Sequence, residues 1–318
     1  MTAAIAPILP ETIALAADIL NDGGLIAMPT ETVYGLAADA ANAEAVARIY
    51  EAKGRPRFNP LIAHVSSWAM AEAEADFSPL ARQCAEAFWP GALTLVLPAK
   101  AGGRVSDLAR AGLDTIAIRW PAHHAAAALI TVFGRPLVAP SANLSGHVSP
   151  TRADHVMADL GDRIDLVLDG GPCEVGMEST ILGFDGDTPV LLRPGGIPTG
   201  LIAEKLGREI RVHSPEDAIN APGQIKSHYS PKARLRLNSD APEDGEGYLA
   251  FGPHNPGGLN LSPGGDLVEA ATKLFAMLRA LDQRFERIAV APIPEHGLGE
   301  AINDRLKRAA YRADDGAA

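Results

Sequence analysis

Apolar positions along the chain recur with a helical period in some windows and as short unbroken runs in others, and the alternation of the two predicts helices packed on strands. Residues 11–22 put Ile13, Ala16, Ala17 and Leu20 on one helical face, Gly23-Gly24 ends the helix, and 25–28 reads as a buried strand. Asn42 caps a second helix whose inward positions are Val46, Ile49 and Tyr50. A short strand follows at 61–65. Ser78 and Pro79 open another helix, Ser at the cap and Pro in the first turn, and it ends at Phe88-Trp89-Pro90-Gly91. Strands are expected at 93–97 and 115–120, a helix at 122–133 stopped by Gly134, and a strand at 137–139. Thr151, with Asp154 three residues on, is expected to cap the next helix. Strands at 166–169, 178–182 and 190–196 and a helix at 199–206 complete a first domain that closes at residue 212.

From 213 to 232 the period is lost and Pro, Gly, Ser and Asn accumulate, which marks a linker; it contains Pro222-Gly223 and His228-Tyr229. Beyond it, strands at 235–237, 248–251 and 288–291 and helices at 266–281 and 300–311 form a smaller α/β domain over 233–318. A length of 318 residues agrees with two domains.

Composition removes several function classes. With 47% hydrophobic and 21% charged residues the chain is globular. A net charge of −11 argues against a protein that coats nucleic acid, which needs a broad basic face, and leaves room only for a small basic cleft. Two cysteines, Cys84 and Cys173, stand far apart without metal-type spacing, so neither a disulfide framework nor a zinc site is suggested. No Lys or Arg precedes Arg48 and no apolar run reaches the length of a membrane span, so a cytoplasmic protein without membrane attachment is expected.

The candidate chemistry gathers where strands end, the usual place for ligands in α/β sheets. Lys53-Gly54-Arg55-Pro56-Arg57-Phe58-Asn59-Pro60 sets three cations in five positions and reads as an anion clamp suited to a triphosphate, or else as a wet basic loop. His64 is the lone polar residue of its strand: a satisfied core imidazole or a ligand-binding one. Arg119 lies in an apolar strand and must find an anion or carbonyls, so an internal ion pair and a substrate carboxylate are the two options. Ser141 lacks the Gly-x-Ser-x-Gly elbow of a nucleophile and reads better as a hydrogen-bond donor. Arg193 repeats the pattern of a cation at a strand end before glycines.

Seven motifs then occur in an order that resembles the two-domain threonylcarbamoyl-AMP synthases, a YrdC-type domain followed by an extra C-terminal domain. They are Pro29-Thr30-Glu31-Thr32-Val33-Tyr34-Gly35-Leu36, Lys53-Gly54-Arg55-Pro56, Phe88-Trp89-Pro90-Gly91, Ser141-Ala142-Asn143, Glu178-Ser179-Thr180, Leu192-Arg193-Pro194-Gly195 and His228-Tyr229-Ser230-Pro231. The resemblance covers nearly the whole chain. It implies a twisted, mostly mixed sheet around a concave cleft, and a reaction of L-threonine, bicarbonate and ATP that gives threonylcarbamoyl-AMP and pyrophosphate. Downstream transfer proteins would then modify tRNA. It also implies ATP contacts from Arg55, Asn59, Thr115, Ser141, Asn143, Ser149, Arg193, His228 and Tyr229, with Lys53 and Arg55 neutralising charge in the reaction. Threonine contacts fall to Thr32, His64, Arg119, the Ala139 backbone and Ser179, and magnesium is expected to arrive with ATP. The linker is expected to close over the cleft. In relatives it often carries more basic and aromatic residues, whereas Gln224-Ile225-Lys226-Ser227 supplies a single cation. Two rivals from other classes are an RNA-binding module built on the basic cleft, and a carbamoyl-transfer enzyme sharing the YrdC-type domain. The second would carry acylphosphatase and zinc-finger segments, and no Cys pairs exist here.

Overall fold

The computed structural model of the chain describes residues 2–213 and 229–311. Among them eleven strands form one sheet, in the spatial order Ala4–Pro7, Leu166–Asp169, Ile26–Met28, Gly35–Asp39, Leu137–Val138, Ile62–His64, Thr115–Arg119, Leu93–Pro98, Thr180–Asp185, Thr188–Arg193 and Arg211–Val212. Ile62–His64 pairs parallel with Thr115–Arg119, which pairs antiparallel with Leu93–Pro98, so the sheet is mixed.

The strands are apolar on both faces because both are covered. Ile26 and Met28 point to the layer formed by the helices Pro10–Asn21 and His124–Phe133, where they meet Ile13, Leu20, Leu129 and Ile130. Ala27, Leu36 and Ala38 point the other way, to a cluster that includes Val46 and Ile49 of the helix Ala43–Lys53. This is the period-two alternation of a pleated strand, and each fully buried Leu or Ile side chain contributes about 1.5–3 kcal/mol.

Several elements differ from the sequence expectation. Ala4–Pro7 pairs in register with Leu166–Asp169 although its residues are largely exposed, so no buried face advertised it. The helix Trp68–Glu74 is too short to show a period. Gly35–Asp39 is a strand inside what read as a loop followed by a cap. Thr151 is not an N-cap: Arg152 takes that position with φ −149° and no side-chain bond, and the helix begins at Ala153. Thr151 is instead buried, its carbonyl accepting from the Cys173 amide at 3.0 Å. Of the expected linker over 213–232, residues 214–228, His228 among them, lie outside the described residues.

In the second domain four parallel strands run in the order Arg234–Arg236, Arg287–Val290, Gly247–Ala250, Leu259–Asn260. The helices Leu267–Asp282 and Leu298–Ala310 bury Leu274, Phe275, Leu278, Ile302 and Leu306 against them. The same apolar cluster takes in Val33, Val148 and Met177 of the first domain, so the two units share a core. Arg279 pairs with Asp159 across the seam at 2.7 Å. Among the described residues no helix is long and apolar enough to cross a membrane.

One close approach fixes a motif glycine. A Cβ at Gly195 would collide with the backbone of Glu178, Ser179 and Thr180, whereas one at Gly200, inside the helix Thr199–Leu206, would meet nothing. Gly195→Ala is therefore expected to lower stability by about 1–3 kcal/mol, and Gly200→Ala to raise it by about 0.5–1 kcal/mol. Urea unfolding of the two variants checks both signs.

Candidate functional site

The polar groups of the site are brought together by register. His64 pairs with Arg119 on the neighbouring strand, and Arg119 with Thr94 on the next, so the three stand in a row across the sheet. Ile62, two residues before His64, lines the same concave cleft of about 530 Å3, counting its space open to solvent.

Arg119, only 4% exposed, has the internal ion pair that its sequence context allowed, and a backbone carbonyl beside it. Its Nε donates to the Gly91 carbonyl at 3.2 Å and a terminal nitrogen to Thr32 Oγ1 at 2.8 Å, while the other stands 2.7 Å from Glu31 Oε1. The Phe88-Trp89-Pro90-Gly91 motif thus supplies a carbonyl that aims the guanidinium. The nitrogen bonded to Thr32 keeps one hydrogen for a ligand, and the one beside Glu31, which makes no hydrogen bond among the described residues, keeps both.

Proton positions around Thr32 follow from the acceptors. Thr30 Oγ1 donates to the Val33 carbonyl at 2.6 Å, so the 2.8 Å contact between the two Thr hydroxyls must have Thr32 as donor. Thr32 Oγ1 also accepts from Arg119, which leaves it a lone pair, and no proton, for a ligand. His64 is alike. Its Nδ1 lies 3.0 Å from the Ile62 carbonyl, which can only accept, so Nδ1 carries the hydrogen and Nε2 presents a lone pair. Burial, and then the charge of Arg119, pull the His64 pKa down to about 3, so the ring is neutral at pH 7.

The clamp over 53–57 divides. Arg57 is exposed. Arg55 lines the cleft, with Nε to the Asn59 carbonyl at 3.4 Å and a terminal nitrogen to the Pro60 carbonyl at 3.1 Å. Lys53 ends the helix Ala43–Lys53 and is turned into the wall, donating to the carbonyls of Ser141, at 2.5 Å, and Asn143. It straps the Ser141-Ala142-Asn143 turn to the helix, so the expectation of a loop cation free of the fold is corrected. Arg193 lines the cleft and turns back onto the Ser179 carbonyl at 2.8 Å and the Ser179 hydroxyl at 3.3 Å. Ser179 Oγ shares a 2.7 Å bond with Thr94 Oγ1. Burial and then Arg55 pull Lys53 well below its ordinary pKa; burial and, against the phenols of Tyr50 and Tyr229, Arg193 bring Arg55 down to about 10. None of Lys53, Arg55 and Arg193 makes an ion pair with a carboxylate among the described residues.

Of the other expected residues, Ala139, Ser141 and Tyr229 line the cleft. Ser149 is fully buried, its hydroxyl donating to Glu178 Oε1 at 2.5 Å. Asn59 and Asn143 are buried behind the wall, each with an Oδ1 that has no hydrogen-bond partner. Thr115 is not brought to the cleft itself. It shares a strand face with Arg119 but stands four residues away, roughly 13 Å along the strand. Extending the register of Ile62 with Ala117 puts it beside Pro60, which does line the cleft.

Sequence reasoning assigned no role to Glu31, Thr94, Glu178 or Arg305. Glu31 could have been found as a candidate, because a strand arginine among apolar residues demanded an anion and the seven motifs carry only two acids, Glu31 and Glu178. Arg305 gave no signal, sitting in an ordinary amphipathic helix. Among the described residues no group of three or more His, Cys, Asp or Glu could hold a metal ion, and Glu178, the one carboxylate lining the cleft, is already paired with Arg305 at 2.9 Å.

Comparison with known proteins agrees in two segments. Residues 18–195 match the family described as telomere recombination, Sua5/YciO/YrdC, and residues 201–311 match the threonylcarbamoyl-AMP synthase C-terminal domain. The chain is 41% identical to the threonylcarbamoyl-AMP synthase of Pyrococcus abyssi, covering 94% of each. It is also 41% identical to that of Bacillus subtilis, covering 94% of this chain and 92% of the relative. A crystal structure of P. abyssi Sua5 complexed with L-threonine superposes with a TM-score of 0.89 at 38% identity, over 97% of this chain and 98% of that one. A variant of the same protein with a consecutive His-Tyr pair changed to alanines superposes at 0.88, at 37% identity, over 97% and 96%.

The neutral imidazole has a consequence for stability. The unfolded chain titrates His64 near its ordinary pKa of about 6.5, the folded chain only near 3. Between those values only the unfolded state takes up the proton, so stability is lost as pH falls from about 6.5, with a slope from this group of up to about 1.4 kcal/mol per pH unit. His64→Gln is expected to flatten that dependence, read as the difference between urea midpoints at about pH 7 and about pH 5. An unchanged difference would refute the buried neutral state.

Proposed function

Because the chain belongs to the threonylcarbamoyl-AMP synthase family, we propose that it converts L-threonine, bicarbonate and ATP into L-threonylcarbamoyl-AMP, releasing pyrophosphate. The observation that carries this reading is the polarity of the cleft. One end offers Arg119 with two lone-pair acceptors, Thr32 and His64; the other offers the buried cations Arg55 and Arg193. The first set suits an amino acid that bears a hydroxyl, the second a polyphosphate. The relative crystallised with L-threonine supports the amino-acid end.

At that end the Arg119 hydrogens would bond the threonine carboxylate, and His64 Nε2 and the Thr32 lone pair would accept from its hydroxyl and amine. The free amine adds to bicarbonate with loss of water to give a carbamate. A carbamate oxygen then attacks the α-phosphorus, the bond to the β-phosphate bridging oxygen breaks, and pyrophosphate leaves with that electron pair. Proton removal from the ammonium is not assigned to His64, whose low pKa makes it an acceptor and a poor base. Arg55 and Arg193 neutralise charge on the phosphates, with Ser141, Ser149, Asn59, Asn143 and Thr115 shaping the nucleotide half. Magnesium would enter as the counter-ion of ATP, since the cleft offers it no free carboxylate. The reaction, an adenylyl transfer to the carbamate, would take place in the cytoplasm, and its product would serve downstream proteins that modify tRNA.

Pyrophosphate release measured with each substrate omitted in turn tests the reaction: it is expected only with all three present. Valine in place of threonine is expected to be rejected strongly, since it leaves the acceptor that takes the hydroxyl proton without its donor. Valine turning over as well as threonine would overturn the amino-acid subsite. Arg55→Ala is expected to lower kcat/KM by about 10²-fold or more, and unchanged turnover would remove Arg55 from the phosphate site.

A further inference from the structure

Arg305 is 0% exposed, although it belongs to the helix Leu298–Ala310 of the second domain. Its donors cross the seam. Nε bonds Glu178 Oε2 at 2.9 Å and one terminal nitrogen bonds the Pro194 carbonyl at 2.9 Å, both in the first domain, while the other bonds Asp304 at 2.5 Å. The Tyr229 ring lies 5.0 Å above the guanidinium and stacks on Phe275 at 5.7 Å. Glu178 relays the contact: it lines the cleft, and its second oxygen holds the Ser149 hydroxyl. Pro194, the other acceptor, follows Arg193 directly.

We propose that Arg305 is a positioning residue for the nucleotide half of the cleft, acting through Glu178, the Pro194 carbonyl and Tyr229, so that the second domain completes a site lined mainly by the first. The inference rests on the ATP-dependent reading above. A plain interdomain tie would not need this geometry. The seam already has the Arg279 pair with Asp159 and a shared apolar core, and a buried ion pair stabilises no better than apolar residues of equal volume. What the pair does supply is orientation and charge. An unpaired carboxylate on the cleft wall would repel phosphate, and Arg305 cancels it while leaving Glu178 free to accept from Ser149. Burial opposes the charge of both partners. For Arg305 the Tyr229 phenol, Glu178 and Asp304 outweigh it and raise the pKa; for Glu178, Arg305, Arg193 and the Ser149 hydroxyl outweigh it and lower the pKa.

The test compares wild type with Arg305→Lys and with the double variant Arg305→Met, Glu178→Met, which leaves neither member of the pair as a lone buried charge and so keeps a fold if the single change does not. Steady-state pyrophosphate release is expected to show KM for ATP raised roughly tenfold to 10²-fold while KM for threonine moves by less than about threefold. Calorimetric titration with ATP alone reads the same loss without turnover. ATP affinity unchanged in the folded double variant, or both KM values raised by one common factor, would overturn the role of Arg305. A wild type that binds ATP yet releases no pyrophosphate would instead sink the functional reading, and the calorimetric comparison would still decide on Arg305.

Discussion

Three buried cations with no ion-pair partner among the described residues, Lys53, Arg55 and Arg193, set the constraint on which the rest of the site depends. Taking a charge out of water costs several kcal/mol even after relaxation, and backbone carbonyls only partly offset it. The fold meets the cost with carbonyls of Asn59, Pro60, Ser141, Asn143 and Ser179, contributed by segments far apart in sequence. The lowered pKa values of all three record that the balance is incomplete in the protein alone. On the proposed reading an anionic guest would close it, while the sheet holds this arrangement of cations in place.

The sheet can hold it because pairing register is indifferent to side-chain charge. Backbone bonds fix His64, Arg119 and Thr94 opposite one another whatever their side chains prefer, and a slip of one residue would send all three into the apolar layer behind. Carboxylates are used sparingly and only where they leave donors free. Glu31 stands beside Arg119 as an ion pair without a hydrogen bond to it among the described residues, and Glu178 is covered by Arg305.

Much of this was legible in the sequence, and the limits have physical causes. Buried strands and long amphipathic helices announced themselves through their period; Ala4–Pro7 and Trp68–Glu74 did not, one being exposed and the other two turns long. Thr32, Arg55, His64, Arg119, Ser141, Ser179 and Arg193 were singled out, most as polar residues in or beside strands or in a basic loop and Ser179 through the family resemblance, and they do line one cleft. Sequence could not say which way a side chain would turn, so Lys53 read as a free clamp when its ammonium is a strap. Nor could it find Arg305, because the partner of a buried charge over a hundred positions away leaves no local trace.

The same distribution of charge bears on what the guest can be. The chain carries −11 overall, yet its cleft wall is cationic. Beyond a Debye length of about 8–10 Å a long polyanion meets the acidic exterior, and counterion release along a nucleic-acid backbone has no basic track to draw on. On the proposed reading a nucleotide would escape this penalty, being small enough to lie within reach of Arg55 and Arg193, where the low dielectric strengthens attraction and the exterior is screened. On that reading, selectivity for a compact anion over an extended one would follow from where the protein keeps its few buried cations, independent of any base or sequence contact.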